Sequence, residues 1–178
     1  MLQLMEVPAR MGLCLLHIQA AEHVIKLTLQ HVIRNDSITL EMLEAVEEAE
    51  RKKTLGYFLA KLRKRADLVP EFDEMLQKFL GRRNTFAHNL SEIPGWSLET
   101  EEGRQVAIKW LDETYQLTEQ ISKVFWGLVR VWELHHDNPH PIAGEGDFFK
   151  DIDPVYTTVA KMVFRPKSDQ RCNDLARP

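Results

Sequence analysis

The stretch PEFDEMLQKFLGRRNTFAHNL, residues 70 to 90, decides the fold and poses the functional question. Its apolar residues recur at intervals of three and four, the period of an α-helix lying on a core. Pro70 suits the first turn of such a helix, and Glu71, Asp73 and Glu74 sit favourably at its positive end. At about 100° per residue, Phe72, Met75, Leu76, Phe79, Leu80, Phe86, Ala87 and Leu90 fall in one broad arc. Arg83 lies near the centre of that arc, where a leucine is expected. Arginine keeps its charge at any ordinary pH, so a buried guanidinium requires an anionic or well hydrogen-bonded partner. It can snorkel outwards, or pair with a carboxylate such as Glu22 or Glu44. Asn84 and His88, four residues apart, project from one side of the same helix. A third arrangement therefore brings guanidinium, amide and imidazole together in a polar pocket at the margin of the core.

Working outward, Ile93, Pro94 and Gly95 are turn residues that stop this helix near Leu90. Upstream, Leu13, Leu16, Ala20, Val24 and Leu27 give a first amphipathic helix from Met11 to Ile33, broken by Asn35, Asp36 and Ser37. Thr39 can cap a second helix through Leu43 and Val46, continuing or restarting near Thr54 to carry Leu55, Phe58, Leu59 and Leu62. Downstream, Ile108, Leu111, Tyr115, Thr118, Ile121, Phe125, Leu128 and Trp132 predict one long helix from about Thr100 to His135, with Gly127 a possible kink. After His136 the texture turns to proline, glycine and aspartate, where regular helix is not expected. The later YTTVAKMVF can pack as a short strand or helix. The fold class is all-α: an antiparallel up-and-down bundle of four to five helices over residues 1 to 136. Residues 137 to 178 form an irregular C-terminal extension with a frayed end. No internal repeat appears.

Composition bounds the function. A chain of 178 residues, 44% hydrophobic and 28% charged, is that of a globular domain able to bury its own core. No apolar run approaches the roughly 18 residues that span a bilayer. The N-terminal apolar stretch has no basic leader and is interrupted by His17, Gln19 and Glu22, so a signal peptide is not expected. Cys14 and Cys172 alone support neither a disulfide framework nor a cysteine-based zinc site, and a reducing, cytoplasmic setting fits. A net charge of −4 argues against a chain that coats nucleic acid by bulk charge. Its distribution is uneven: five glutamates between residues 41 and 50, then Arg51, Lys52, Lys53, Lys61, Arg63, Lys64 and Arg65 with no acid between. That run is either a solvated, dipole-complemented helix face or an anion-attracting strip.

The trio on the third helix suits chemistry at phosphorus. Imidazole can accept or return a proton near neutral pH. Guanidinium offers a planar fork to phosphate oxygens and can hold the negative charge that develops in the transition state. No carboxylate cluster or HExxH pattern accompanies them, so no metal or other cofactor is called for. Attack of a ribose 2′-hydroxyl on its own phosphate is a reaction these groups could serve, which makes the substrate RNA.

Arg83-Asn84-Thr85-Phe86-Ala87-His88 resembles the R-N-x-x-x-H form of the motif that marks the HEPN superfamily (higher eukaryote and prokaryote nucleotide-binding domains). The order of elements is also similar: a long first helix, TLGYFLAKL at 54 to 62, the motif late in a helix, then a long closing helix, together about residues 11 to 135. The resemblance implies a four- or five-helix domain that dimerises with two motifs across a two-fold axis. It implies a metal-independent endoribonuclease, such as a toxin with a partner antitoxin protein or a phage-defence effector. On this chain it makes Arg83 the phosphate and transition-state ligand, Asn84 a positioning group and His88 the proton-transfer group. Other relatives keep the fold as non-catalytic modules that bind a nucleotide or a protein, which is the alternative reading.

Remaining features have plainer readings. Arg82, with Lys61, Arg63, Lys64 and Arg65, supplies candidate contacts to an RNA backbone. His135, His136, Asp137 and His140 cluster at the end of the long helix, where cations meet the negative dipole end; adjacent histidines point apart and make a poor metal site. His17 and His31 read as core or interface histidines and His23 as exposed. Trp96, Trp110, Trp126 and Trp132 read as packing residues rather than base-stacking platforms.

Overall fold

The computed structural model describes residues 2–29, 54–136 and 147–166. These residues form an all-α bundle of five helices: α1 Leu2–Leu27, α2 Leu55–Arg65, α3 Pro70–His88, α4 Glu101–His136 and α5 Asp147–Val163. Two three-residue strands, β1 Ala66–Leu68 and β2 Phe164–Pro166, pair antiparallel with Leu68 opposite Phe164. The expected helix through Leu43 and Val46, together with Glu44, Arg51, Lys52, Lys53 and His31, lies outside the described residues, as do Asp137, His140 and Cys172.

Helix α4 is the central beam, packed against α1 on one side and α5 on another. Thr100 accepts a hydrogen bond from the Gly103 amide at 3.1 Å through its hydroxyl, fixing where α4 begins. Ala107, Leu111, Ile121, Phe125 and Val129 follow at helical spacing and are fully buried. They meet Phe58, Leu59 and Leu62 of α2, Leu76 and Phe79 of α3, and Ile25 of α1 in one core. Phe72, Phe125 and Phe164 form a triangle with ring centroids 5.4 to 6.0 Å apart, so the strand after α5 is held by the same aromatics as α3.

Three expectations need correction. Helix α1 begins at Leu2 rather than Met11 and runs through Pro8, because Val7 reaches the core and its burial offsets one missing backbone donor. Its core face is Val7, Cys14, Ile18, Ala21, Val24 and Ile25, while the predicted core positions Leu13 and Leu16 are 48% and 64% exposed. Ala20 is exposed with them. Both stripes satisfy three- and four-residue spacing, since α1 is apolar almost all round and spacing alone cannot phase such a helix. Finally, the segment beyond His136 is not irregular throughout: α5 is a helix of 17 residues. Tyr156, Val159, Ala160 and Val163 pack it onto the core, a tertiary gain that outweighs the local turn chemistry of the aspartates and prolines.

Gly127 lies within α4, which continues through it without a break. It is buried where the backbone of α5 crosses, and a Cβ there would collide with the Tyr156 carbonyl group. Gly127→Ala is therefore expected to destabilise the protein by about 1–3 kcal/mol, read as a lower Tm and a lower urea midpoint, although alanine is the better helix former. Burial also pushes the Cys14 thiol up to about 11, against a smaller opposing pull from Arg82. The folded protein then keeps a proton that the unfolded chain loses above about pH 9, so this group's contribution to stability falls between pH 9 and 11. At pH 8, in a Cys172→Ser background, the native thiol should resist iodoacetamide and react only once urea unfolds the chain.

Candidate functional site

The motif sits on the last two turns of α3, which Val69 and Pro70 start and Asn89 ends. Phe72, Leu76 and Phe79 anchor the helix in the core. Beyond Phe79 the helix leaves the core: Arg82, Arg83 and Phe86 are half-buried, and Asn84, Ala87 and His88 are exposed. Arg83 is thus mid-arc on its helix but at the margin of the buried core.

Its guanidinium is anchored from behind. Arg83 Nε donates to Glu22 Oε1 of α1 at 2.7 Å, a pair whose side chains are only 30% and 17% exposed. This is the pairing with Glu22 that the sequence offers as one solution for a guanidinium at the core. Nη1 donates to the Asn84 side-chain oxygen at 3.3 Å, so the guanidinium and the amide of the motif touch. Among the described residues Nη2 has no acceptor.

Arg83, Asn84 and His88 line one hollow of about 430 Å³, together with Leu80 and Asn89 of the same helix region and Thr54, Leu55 and Gly56 of α2. That volume lies within the range of small-ligand sites, roughly 300–1,000 Å³. Part of the lining is the start of α2. Thr54 caps that helix by accepting from the Tyr57 amide at 3.4 Å through its hydroxyl. A helix start carries unsatisfied amides and the positive end of a dipole. A Cβ at Gly56 would make only ordinary contacts with Leu80 and Thr54. Guanidinium, imidazole, two side-chain amides and a helix start around one hollow make a cradle for an anion with an adjoining polar group. Neither Thr54 nor Gly56 was singled out as a site residue from sequence, and Glu22 was named only as a structural partner for Arg83.

The basic candidates are placed apart from one another. Arg82 turns away from the hollow towards α4: Nη1 donates to the Trp110 carbonyl and the Thr114 hydroxyl, both at 2.9 Å, and Nη2 to Glu113 at 2.6 Å. Its guanidinium lies 5.2 Å from the Trp110 ring centroid, and Trp96 packs edge-on against that ring. The Arg82 contact holds the Glu113 carboxyl below its ordinary range. Arg63 pairs with Asp73 at 2.7 Å, and Arg65 donates to the Leu29 carbonyl at 2.6 Å. Lys61 lies over the Tyr57 ring at 4.7 Å, and Lys64 is exposed. All four sit along α2, whose hollow-lining end is the opposite one.

Among the histidines, His17 is half-buried against Tyr115 at 4.4 Å between ring centroids, and His23 is exposed. The backbone of α4 ends at His136, and the side chains of His135 and His136 lie outside those described. Among the described residues, no group of three His, Cys, Asp or Glu is placed to hold a metal ion. None of their helices is long and apolar enough to cross a membrane.

Adjacent arginines thus have different work. Arg82→Ala removes a partly buried clamp between α3 and α4 and is expected to cost about 1–3 kcal/mol, seen as a fall in Tm. Arg83→Ala, at a rim-facing pair, should cost less in the same melt.

Comparison with protein-family models, with characterised proteins and with solved structures finds no match to this chain, so the site is interpreted from its own geometry.

Proposed function

We propose that the protein is a metal-independent endoribonuclease of HEPN type. The observation that carries this reading is the convergence of Arg83, Asn84 and His88 on one hollow bordered by the start of α2. In the proposed reaction the ribose 2′-oxygen attacks the adjacent phosphorus and the bond from phosphorus to the 5′-oxygen breaks. One imidazole takes the 2′ proton, and a second protonates the departing 5′-oxygen, leaving a 2′,3′-cyclic phosphate and a 5′-hydroxyl. Arg83 Nη2 and the helix start stabilise the charge on the non-bridging oxygens. The second imidazole comes from a second copy of the chain. Support for such pairing is the outer face of α3, where Gly81, Asn84, Ala87 and His88 are exposed and small side chains leave room for another helix. A role as a toxin restrained by an antitoxin protein, or as a defence effector, follows from the resemblance alone.

One observation favours a second reading. Glu22 already neutralises Arg83, as it would in a non-catalytic helical module where the arginine ties α1 to α3 and the hollow binds a nucleotide or a protein segment. A single experiment separates the two. Purified protein is incubated with single-stranded RNA in EDTA, and the ends are analysed. The ribonuclease should leave cyclic phosphate ends, spare DNA of the same sequence, and lose at least about 10²-fold in rate on His88→Ala with an unchanged Tm. Intact RNA throughout would favour the module.

A further inference from the structure

Glu22 stands in an unusual relation to the hollow. It comes from α1, far from the motif in sequence, and is not among the residues lining the hollow, yet its carboxylate holds the guanidinium that does line it. The contact is through Nε alone, at 2.7 Å. Nε is the nitrogen nearest the aliphatic stem, so a bond there restricts rotation of the guanidinium plane while leaving the two terminal nitrogens ahead of it. One of these, Nη1, meets Asn84 at 3.3 Å, and the other has no acceptor among the described residues. A carboxylate serving only to neutralise a buried charge would gain most from a two-pronged contact with Nε and Nη2 together. Among the described residues the observed contact leaves Nη2 without an acceptor, and so with a donor to offer a ligand.

We propose that Glu22 is a positioning residue: it locks the Arg83 guanidinium from behind so that Nη2 faces an internal phosphodiester in the hollow. The proposal rests on the nucleic-acid reading of the site and adds the residue that gives Arg83 its aim. An unanchored arginine would lose side-chain freedom at the moment of binding, whereas this one has already lost it in the fold. With Glu22 cancelling the Arg83 charge, the hollow offers hydrogen-bond donors with little net charge, which favours a group of low charge such as an internal phosphodiester over a multiply charged phosphate.

The test uses the full chain and an uncleavable ligand, the dinucleotide deoxyuridylyl-3′,5′-adenosine. Binding is followed by NMR titration, together with the Nε–H signal of Arg83, assigned by its loss in Arg83→Lys. Glu22→Ala should release that signal into fast exchange and weaken dinucleotide binding roughly tenfold. Glu22→Gln keeps an oxygen to accept from Nε without the charge, and should hold the signal and bind as well as wild type or better. Tighter binding by both variants would make Glu22 a latch that competes with the ligand and would overturn the proposal. Unchanged binding in both, with only the Tm lowered, would reduce the pair to a structural tie and overturn it too. No binding by the wild type would also end it. RNA cleavage is assayed in parallel: a wild type that binds in this Glu22-dependent way but cuts no RNA would keep the positioning role and discard the ribonuclease reading.

Discussion

A guanidinium that cannot give up its proton has been placed at the edge of an apolar core, and the surrounding structure accommodates it. The carboxylate of Glu22 on α1 meets Arg83 on α3 across the edge of the bundle. Both side chains are mostly shielded, the carboxylate more than the guanidinium, and Arg83 but not Glu22 lines the hollow. Attraction in such a half-dry setting is stronger than between fully exposed charges and less costly than between fully buried ones. The pair can therefore join two helices and still leave one guanidinium nitrogen without an acceptor among the described residues. Had Arg83 pointed fully into the core, no cavity could reach it; had it been fully solvated, its geometry would be undefined.

The bundle holds that edge in place through α4. This helix buries side chains towards α1, α3 and α5 at once, and at Gly103 and Gly127 another segment, Ser97 and Tyr156 respectively, comes too close for a side chain. The contrast between Arg82 and Arg83 follows from the same beam. Arg82 lies on the side of α3 that faces α4 and is consumed by Trp110, Thr114 and Glu113. Its neighbour, 100° further round an ideal helix, is left for the hollow.

Much of this was legible in the chain because it depends on local periodicity. Pro70 marks the start of α3, the turn residues around Gly95 its end and the apolar spacing the run of α4, and Gly95 does adopt the left-handed backbone of a turn, with φ of 78°. At Thr54 the sequence allows either a continuing or a restarting helix, and in the structure Thr54 caps α2. The sharing of one side by Asn84 and His88 follows from their separation of four. What could not be read is what depends on contact between distant segments. Glu22 and Glu44 were equal candidates for Arg83, and only the packing of α1 beside α3 brings Glu22 to it. The phase of α1 was misjudged because Leu13 and Cys14 are both apolar and spacing cannot rank them. In α5 the apolar run from Tyr156 to Val163 reads as a short strand or helix, but the residues from Asp147 to Pro154 argue locally for turns, and it is packing of Tyr156, Val159, Ala160 and Val163 on the core that accompanies the longer helix. The start of α2 as a wall of the hollow had no local signal at all.

The short strand pair ties the two ends of this architecture into one mechanical unit. β1 leads, after Val69 alone, into the first turn of α3, and β2 follows α5 without a break. The Val69 amide also donates to the Val163 carbonyl at 3.3 Å. Anything that lifts the C-terminal segment, whether a protease cut, a binding protein or a fused domain, pulls on the base of the very helix whose tip carries Arg83 and His88. The segment Phe164–Pro166 is thereby joined to the hollow through the length of α3 rather than by contact.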